Sequence, residues 1–177
     1  MRECNLDFVF GRSWKVLKYD ENGGFYKTKM AKNVSPTKAV DFLCVPQGNQ
    51  PLLLMEAKDF SLGVRSQEKF NNVPMAVAIK ARDTVAGIVG GSHCASDAGD
   101  RAIFTESRRK LDTPPRVVFF FSDLGTRLRR EPRRAMQQRD VIMKKLKQHL
   151  SWLTRDVAVV GMDDYGSFVP DLTIRVV

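Results

Sequence analysis

Cysteine and histidine are scarce in this sequence, and their scarcity excludes two classes of small protein. The three cysteines, Cys4, Cys44 and Cys94, lie far apart and form no C-x-x-C pair, and the two histidines are also widely separated. A disulfide framework needs a dense, even set of cysteines, and a structural zinc site needs closely spaced cysteine or histidine pairs. We therefore expect neither, and the odd cysteine count fits a reducing compartment, which predicts a cytoplasmic location.

Long apolar runs, internal repeats and low-complexity linkers are missing as well. No apolar segment approaches the length of a membrane span, and the N-terminal residues lack the apolar core of a signal peptide. The 177 residues are 43% hydrophobic and 28% charged, a balance typical of globular rather than disordered proteins. Because this length suffices for a sizeable core, we predict a single domain over residues 1–177.

Basic charge is present in excess and is concentrated in one segment. The formal net charge is +9, and the stretch from Glu106 to Lys147 holds thirteen Lys or Arg against five Asp or Glu. A nearly neutral body with one basic segment predicts a polyanionic partner, nucleic acid first and an acidic membrane surface second. Judged from charge alone, a solvated basic helix that aids solubility explains the segment equally well.

The positions of apolar residues predict an α/β fold in which helices cover a sheet. Pro74 suits the start of a helix, Gly90 and Gly91 suit its end, and residues 90–104 are interpreted as a mobile loop. The predicted order is a hairpin over 14–30, strands over 39–45 and 52–58, a helix over 74–89, a strand over 116–124, an amphipathic helix over 131–153 and two strands within 156–177. The apolar stripe of the amphipathic helix consists of Met136, Met143, Leu146, Leu150 and Leu153.

The strands predicted at 39–45 and 52–58 carry acidic residues where a core strand should be apolar. If Val45 lies opposite Leu52 across the turn, Asp41 lies opposite Glu56. Lys58 returns to the same face, because side chains alternate along a strand. A slip of one residue in the register would separate these groups.

Two facing carboxylates repel each other unless a cation lies between them. Oxygen ligands suit Mg²⁺, with Mn²⁺ as the alternative, and such ions take further ligands from a phosphate-bearing substrate. We therefore predict that Asp41 and Glu56 bind the metal and that the backbone carbonyl of Ala57 supplies another oxygen. Lys58 is expected to assist the attack of water and to offset charge on the phosphate.

The pattern of Asp41, fourteen residues and then Glu56-Ala57-Lys58, on two consecutive strands followed by a helix, resembles the PD-(D/E)XK nuclease superfamily. The resemblance implies a restriction-endonuclease-like central mixed β-sheet flanked by helices. It also implies a nuclease that hydrolyses phosphodiester bonds, with Asp41 and Glu56 as the metal-binding acids and Lys58 as the catalytic lysine. It covers mainly residues 38–90.

Other positions follow from the same resemblance. In some branches the helix after the second strand adds polar groups near the substrate, which makes Lys80, Arg82 and Asp83 candidates. Many members supply a further glutamate from an N-terminal helix, and Glu3 and Glu21 are the candidates for that role here. The sequence departs from the pattern at Val40, where many members have proline, and it lacks the Q-x-x-x-Y pattern of the RecB-like branch.

The arginine-rich stretch in the basic segment predicts contact with phosphates. Six arginines lie between Arg127 and Arg139, and arginine suits bidentate contact with phosphate oxygens. Few aromatic residues accompany them, which favours tracking of a duplex backbone over stacking on single strands, and DNA is favoured over RNA. The predicted nucleic-acid-binding residues are Arg127, Arg129, Arg130, Arg133, Arg134, Lys80 and Arg82.

Three functions are therefore compatible with the sequence. The first is a metal-dependent nuclease acting on DNA, without a membrane partner. The second is a nucleic-acid-binding subunit of a larger complex that keeps the fold without turnover. The third is a basic adaptor for an acidic protein or an anionic surface. A homodimer is also compatible, because nucleases of this kind often pair to cut both strands.

Overall fold

The fold has three layers. The computed structural model describes residues 1–3, 5–58, 67–122 and 130–176, and for residues 67–70 it describes the backbone alone. A mixed five-stranded sheet is the middle layer. Helices cover one face of this sheet, and a three-stranded antiparallel sheet covers the other. The α/β class and the mixed sheet are thus confirmed. In the described part of the chain, the α-helices flank that sheet on one face only.

The five-stranded sheet has the order β3-β4-β5-β6-β7. Its first three strands are antiparallel, and the last three are parallel to one another. The ends of β3, β5, β6 and β7 therefore meet the start of β4 at one edge of the sheet. The strands are β3 (Trp14–Lys18), β4 (Phe42–Pro46), β5 (Leu53–Lys58), β6 (Arg116–Phe121) and β7 (Val157–Val160).

The small sheet brings together strands from both ends of the described chain. Its order is β1-β2-β8, and both pairings are antiparallel. Its apolar side chains, including Phe8 and Ile174, pack against the five-stranded sheet. The strands are β1 (Arg2–Glu3), β2 (Leu6–Phe10) and β8 (Leu172–Val176).

Within the described residues, four α-helices lie on the opposite face, and two of their starts carry local sequence signals. The side chain of Asp97 accepts a hydrogen bond from the backbone N–H of Asp100, which caps one helix. Pro132 occupies the first position of another, where no backbone donor is needed. The helical segments are a π-helix (Tyr26–Met30) that leads into α1 (Ala31–Asn33), then α2 (Gln67–Cys94), α3 (Ala98–Lys110), α4 (Pro132–His149) and a 3₁₀ turn (Tyr165–Ser167). Among the described residues, no helix combines the length and the apolar character that crossing a membrane requires.

The central strand β6 shows why the sheet is buried on both faces. Val117, Phe119 and Phe121 face the helices, whereas Val118 and Phe120 face the small sheet, and all five are fully buried. Alternation therefore produces no polar positions, and the strand appears in the sequence as one continuous apolar run. Burial of each such side chain stabilises the fold by about 1.5–3 kcal/mol.

The predicted hairpin over 14–30 is wrong in its second half. β3 pairs with β4 instead, and the chain enters the π-helix after a turn. Phe25, Tyr26 and Met30 lie on one side of that helical segment and pack on the core, whereas Lys27 and Lys29 are exposed. Helical spacing of these apolar residues therefore outweighs the turn signal of residues 21–24.

The predicted boundaries of the second helix are also wrong. Pro74 lies inside α2 and is buried, so the lost backbone hydrogen bond is offset by packing. Gly91 also lies inside this helix. Glycine is required at this position because any side chain there would overlap the ring of Phe104 in α3. Residues 90–104 are consequently the end of α2 and the start of α3 rather than a mobile loop.

The amphipathic helix is confirmed as α4, with one change in its buried stripe. Leu146 and Leu150 are buried as predicted, but Met136 is 56% exposed. Ala135 and Ile142 occupy the buried positions at that end of the helix. In this part of the helix, each buried position is therefore one residue earlier in the sequence than predicted.

Candidate active site

Acidic and basic side chains converge at the sheet edge where β3 ends, β4 begins and β5 ends. The observed register pairs Phe42 with Met55, so its extension by one residue brings Asp41, which directly precedes β4, opposite Glu56. This is the predicted register. Because side chains alternate along a strand, Asp41, Glu56 and Lys58 all lie on the face covered by helices.

Backbone hydrogen bonds to α2 hold the segment that carries Asp41. The N–H of Val40 donates to Oγ1 of Thr84 at 3.1 Å, and the N–H of Lys38 donates to Oδ2 of Asp83 at 2.9 Å. The carbonyl of Asp41 accepts a bond from the N–H of Tyr19 at 2.9 Å. Helix α2 and the turn after β3 therefore fix the position of the Asp41 carboxylate.

Lys80 in α2 joins the two buried carboxylates. Its ammonium lies 2.7 Å and 2.8 Å from the two carboxylate oxygens of Glu56 and 3.5 Å from Oδ1 of Asp41. Both acids are almost completely buried, at 2% and 1% exposure. The repulsion between them is thus offset by one shared cation from the chain itself.

Lys58 and Ala57 lie beside this ion pair. The Lys58 ammonium is 3.2 Å from Glu56, and its side chain is 45% exposed, so it can contact both the acid and solvent. The N–H of Ala57 donates to Oδ2 of Asp41 at 2.7 Å. Ala57 therefore orients Asp41 through its amide, and the metal-binding role of its carbonyl stays a prediction.

Asp41 also belongs to a second group of acids. One carboxylate oxygen from each of Glu3, Asp20 and Asp41 lies within 4.8 Å of the others. Glu3, which is also 3.4 Å from Lys18, is thus placed beside the predicted site by β1. Glu21, the other candidate glutamate, is exposed in the turn after β3.

Burial changes the protonation of the group. Burial and the nearby Asp41 carboxylate raise the pKa of Glu56 to about 7, although Lys80 and Lys58 act in the opposite direction. Burial and Asp41 likewise raise the pKa of Asp20. For Lys80, burial disfavours the charged form, but the Glu56 and Asp41 carboxylates outweigh burial and raise its pKa. Lys80 is therefore an ammonium ion at neutral pH, where Glu56 titrates.

A cleft of about 370 Å³ opens beside these residues. Glu56 and Asp20 supply its acidic part, and four lysines contribute to the lining. The remaining lining residues are Tyr26, Ala39, Val73, Ala76 and Val77. Two of the lysines, Lys27 from the π-helix and Lys38 from the segment before β4, are exposed. An acidic end beside a lysine-rich wall suits a ligand that combines a cation with an anionic group such as phosphate.

The predicted nucleic-acid-binding residues do not all converge on this cleft. The side chain of Arg82 is 60% exposed and pairs with Asp83 at 2.8 Å. Residues two positions apart on a helix do not share a face, so Arg82 and Lys80 point in different directions. Arg130, Arg133 and Arg134, called here the arginine cluster, are exposed at the start of α4. Arg127 and Arg129 lie outside the described residues.

The chain topology of β6, α4 and β7 indicates that the arginine cluster lies toward the end of the sheet that carries the acids. β6 ends at this edge, and α4 runs back across the sheet to reach the start of the parallel strand β7. Arg139, further along α4, forms a 2.6 Å ion pair with Asp164, which follows the end of β7. The start of α4 is therefore beside the edge that carries the cleft.

The carboxylates fit a hard divalent cation. All four acids offer oxygen, which Mg²⁺ and Mn²⁺ prefer. Asp41 and Glu56 already share a cationic group, so the position between them accommodates positive charge. Asp41 and Glu56 would hold the ion, and Glu3 and Asp20 lie close enough to Asp41 to complete or orient the set.

Sequence reasoning missed several of these residues. Asp20 follows the end of β3 by two residues, and a carboxylate just beyond a strand end is the signal that identifies it. No sequence pattern identifies Lys27 and Lys38 as cleft residues, because their place in the cleft depends on how the helical segment packs. For Lys80 the sequence predicts contact with nucleic acid, whereas the structure shows contacts with Glu56 and Asp41.

No protein-family model, curated protein or solved structure matches this chain, so its function is inferred from the geometry of the site.

Proposed function

We propose that the chain is a Mg²⁺-dependent nuclease that hydrolyses phosphodiester bonds of DNA at the cleft beside Asp41, Glu56 and Lys58. The observation that carries the proposal is the meeting of two buried carboxylates on one shared cation, with a partly exposed lysine next to them. Buried acids facing each other are costly for a purely structural role, because each destabilises the ionised form of the other. A cation-binding function explains why both are kept.

Each residue has a separate task in this proposal. Asp41 and Glu56 would hold the cation, which would supply positive charge for the phosphate and activate water. The amide of Ala57 and the contacts from α2 keep Asp41 in one orientation. Lys58, at the mouth of the cleft, offsets the negative charge that develops on the phosphate.

The arginine cluster supports a nucleic acid as the substrate. Its exposed guanidinium groups lie at the sheet edge that carries the cleft, so a backbone crossing this edge can contact both. Phosphate contacts of this kind position a duplex without reading its sequence. We therefore propose binding without sequence preference.

The arrangement of the five-stranded sheet supports a restriction-endonuclease-like fold. Asp41 directly precedes β4, and Glu56 lies in the antiparallel neighbour β5. Helix α2 follows and packs beside them, and parallel β6 and β7 complete the sheet. The small sheet on the other face would then be a feature of this particular chain.

One observation favours a second candidate function. Lys80 already lies between the acids, so the chain can neutralise them without a metal. A protein that uses the pair only for stability and the arginine cluster for binding would be a nucleic-acid-binding subunit without turnover.

Cleavage assays separate the two functions. Supercoiled, linear, branched and single-stranded DNA are incubated with the wild type in Mg²⁺, Mn²⁺ or EDTA. We expect metal-dependent cutting that is lost in Asp41→Asn and Glu56→Gln and is kept in Glu21→Gln, an exposed acid outside the group. Salt-sensitive DNA binding without cutting in either metal would favour the second function and refute the nuclease proposal.

A further inference from the structure

We propose that Lys80 is a displaceable counter-ion that couples DNA binding to metal binding at this site, an inference that rests on the proposed nuclease function. In the metal-free protein its ammonium occupies the place of the divalent cation. A phosphate in the cleft draws the ammonium away, and the vacated carboxylates then take up the metal.

The contacts show that Lys80 and a metal compete for the same oxygens. Both carboxylate oxygens of Glu56 are engaged by the Lys80 ammonium, at 2.7 Å and 2.8 Å, and the ammonium also reaches Oδ1 of Asp41. An ion that binds between Asp41 and Glu56 must therefore break these contacts. Metal binding to the free protein is weakened by the cost of that displacement.

Lys80 has a path out of the ion pair. Its side chain is 17% exposed and is part of the wall of the cleft, with Lys38 and Lys58 nearby on that wall. A lysine has a flexible stem of four carbons, so its ammonium can turn from the carboxylates toward a ligand in the cleft without movement of α2. A phosphate group there offers it a new anionic partner.

Displacement by phosphate makes the two binding events cooperative. DNA that holds the ammonium of Lys80 removes the competitor of the metal, and the metal in turn frees Lys80 for the phosphate. Such coupling is reciprocal, so each ligand must tighten the binding of the other by the same factor. The carboxylates are then never left together without a cation.

The first test is calorimetric titration of the metal-free protein with Mn²⁺ alone. We expect Lys80→Met to bind Mn²⁺ roughly ten- to a hundredfold more tightly than the wild type, because a cation at contact distance from the carboxylates is removed. Lys80→Gln, which retains a hydrogen-bond donor toward Glu56, should also bind Mn²⁺ more tightly than the wild type. It keeps the test valid if the methionine variant fails to fold. Lys32→Met is the control, since it removes an exposed lysine of α1 that does not line the cleft, and it should bind Mn²⁺ like the wild type.

The second test measures the coupling. In a Lys58→Met background, which slows cutting, a short DNA duplex should tighten Mn²⁺ binding while Lys80 is present and should lose this effect in Lys80→Met/Lys58→Met. Mn²⁺ affinity that is unchanged or weaker in both Lys80 variants, or a duplex effect of equal size with and without Lys80, would overturn the inference. If the wild type nevertheless cuts DNA, only the role of Lys80 fails. Absence of both Mn²⁺ binding and cutting in the wild type would overturn the nuclease proposal and this inference together.

Discussion

Replacing Glu56 by glutamine should stabilise the metal-free protein at pH 8 while removing its response to metal. Glutamine has nearly the same shape as glutamate and cannot ionise, so it mimics the protonated form of the buried acid. Glu56 is 1% exposed, and its pKa rises from 4.5 to about 7 in the folded protein. The ionised form of Glu56 therefore opposes folding.

The sign of the effect follows from the raised pKa. The favourable contribution of protonated Glu56 is fully present below pH 4.5 and is lost as the pH rises through about 7. The shift corresponds to a loss of about 3 kcal/mol in the free energy of unfolding by pH 8. For a chain of this length such a difference changes the melting temperature by roughly 6–12 °C.

The assay is thermal and urea denaturation in EDTA, from pH 5 to pH 8. The wild type should lose stability across this range more steeply than Glu56→Gln, which should be more stable than the wild type at pH 8. With Mn²⁺ added the order should reverse, because the ion stabilises only the protein that binds it. Glu21→Gln, an exposed control, should stay within about 0.5 kcal/mol of the wild type.

Equal pH slopes for the wild type and Glu56→Gln would show that Glu56 does not titrate near neutrality in the folded state. A variant less stable than the wild type at pH 8 would show that the ion pair with Lys80 outweighs the cost of burying the charge. Either result would refute the electrostatic account of the site.

Four further perturbations test other parts of the site and its surroundings. Asp41→Ala should abolish Mg²⁺-dependent cleavage while the circular dichroism spectrum is unchanged, and full activity at matched folded concentration would contradict its role. Lys58→Ala should cut more slowly but bind Mn²⁺ as the wild type does in calorimetry, since Lys58 acts on the phosphate. Thr84→Val leaves the N–H of Val40 without its acceptor, so unfolding in urea should show a loss of about 1–3 kcal/mol. Replacement of the arginine cluster by alanine should lower the slope of log K against log salt by about two to three units on duplexes of unrelated sequence, and an unchanged slope would exclude phosphate contact.

The register that forms the site was predictable because it depends on local rules. A short turn joins β4 and β5, and alternation of side chains then decides which residues share a face. Asp41, Glu56 and Lys58 could therefore be placed together from the sequence, and the structure brings them together. The buried run of β6 and the amphipathic α4 were predictable for the same reason.

Features that depend on packing between distant segments were not predictable. Lys80 reaches Glu56 only because α2 lies across the sheet at one particular rotation, and no spacing in the sequence reports that rotation. Gly91 was interpreted as a helix end, although its role is to admit the ring of Phe104. Glu3 was one of two candidates, and only the pairing of β1 with β2 brings it toward Asp41.

The small sheet has a kinetic consequence for the site. β2 pairs with β1 next to it and with β8 near the other end of the described chain, and the latter contact has one of the longest sequence separations in the fold. Contacts of long separation form slowly, because a large loop must close before they stabilise anything. A folding intermediate that holds only the five-stranded sheet would carry Asp41 and Glu56 but not a fixed Glu3. Docking of the small sheet is therefore required before Glu3 can join Asp20 and Asp41.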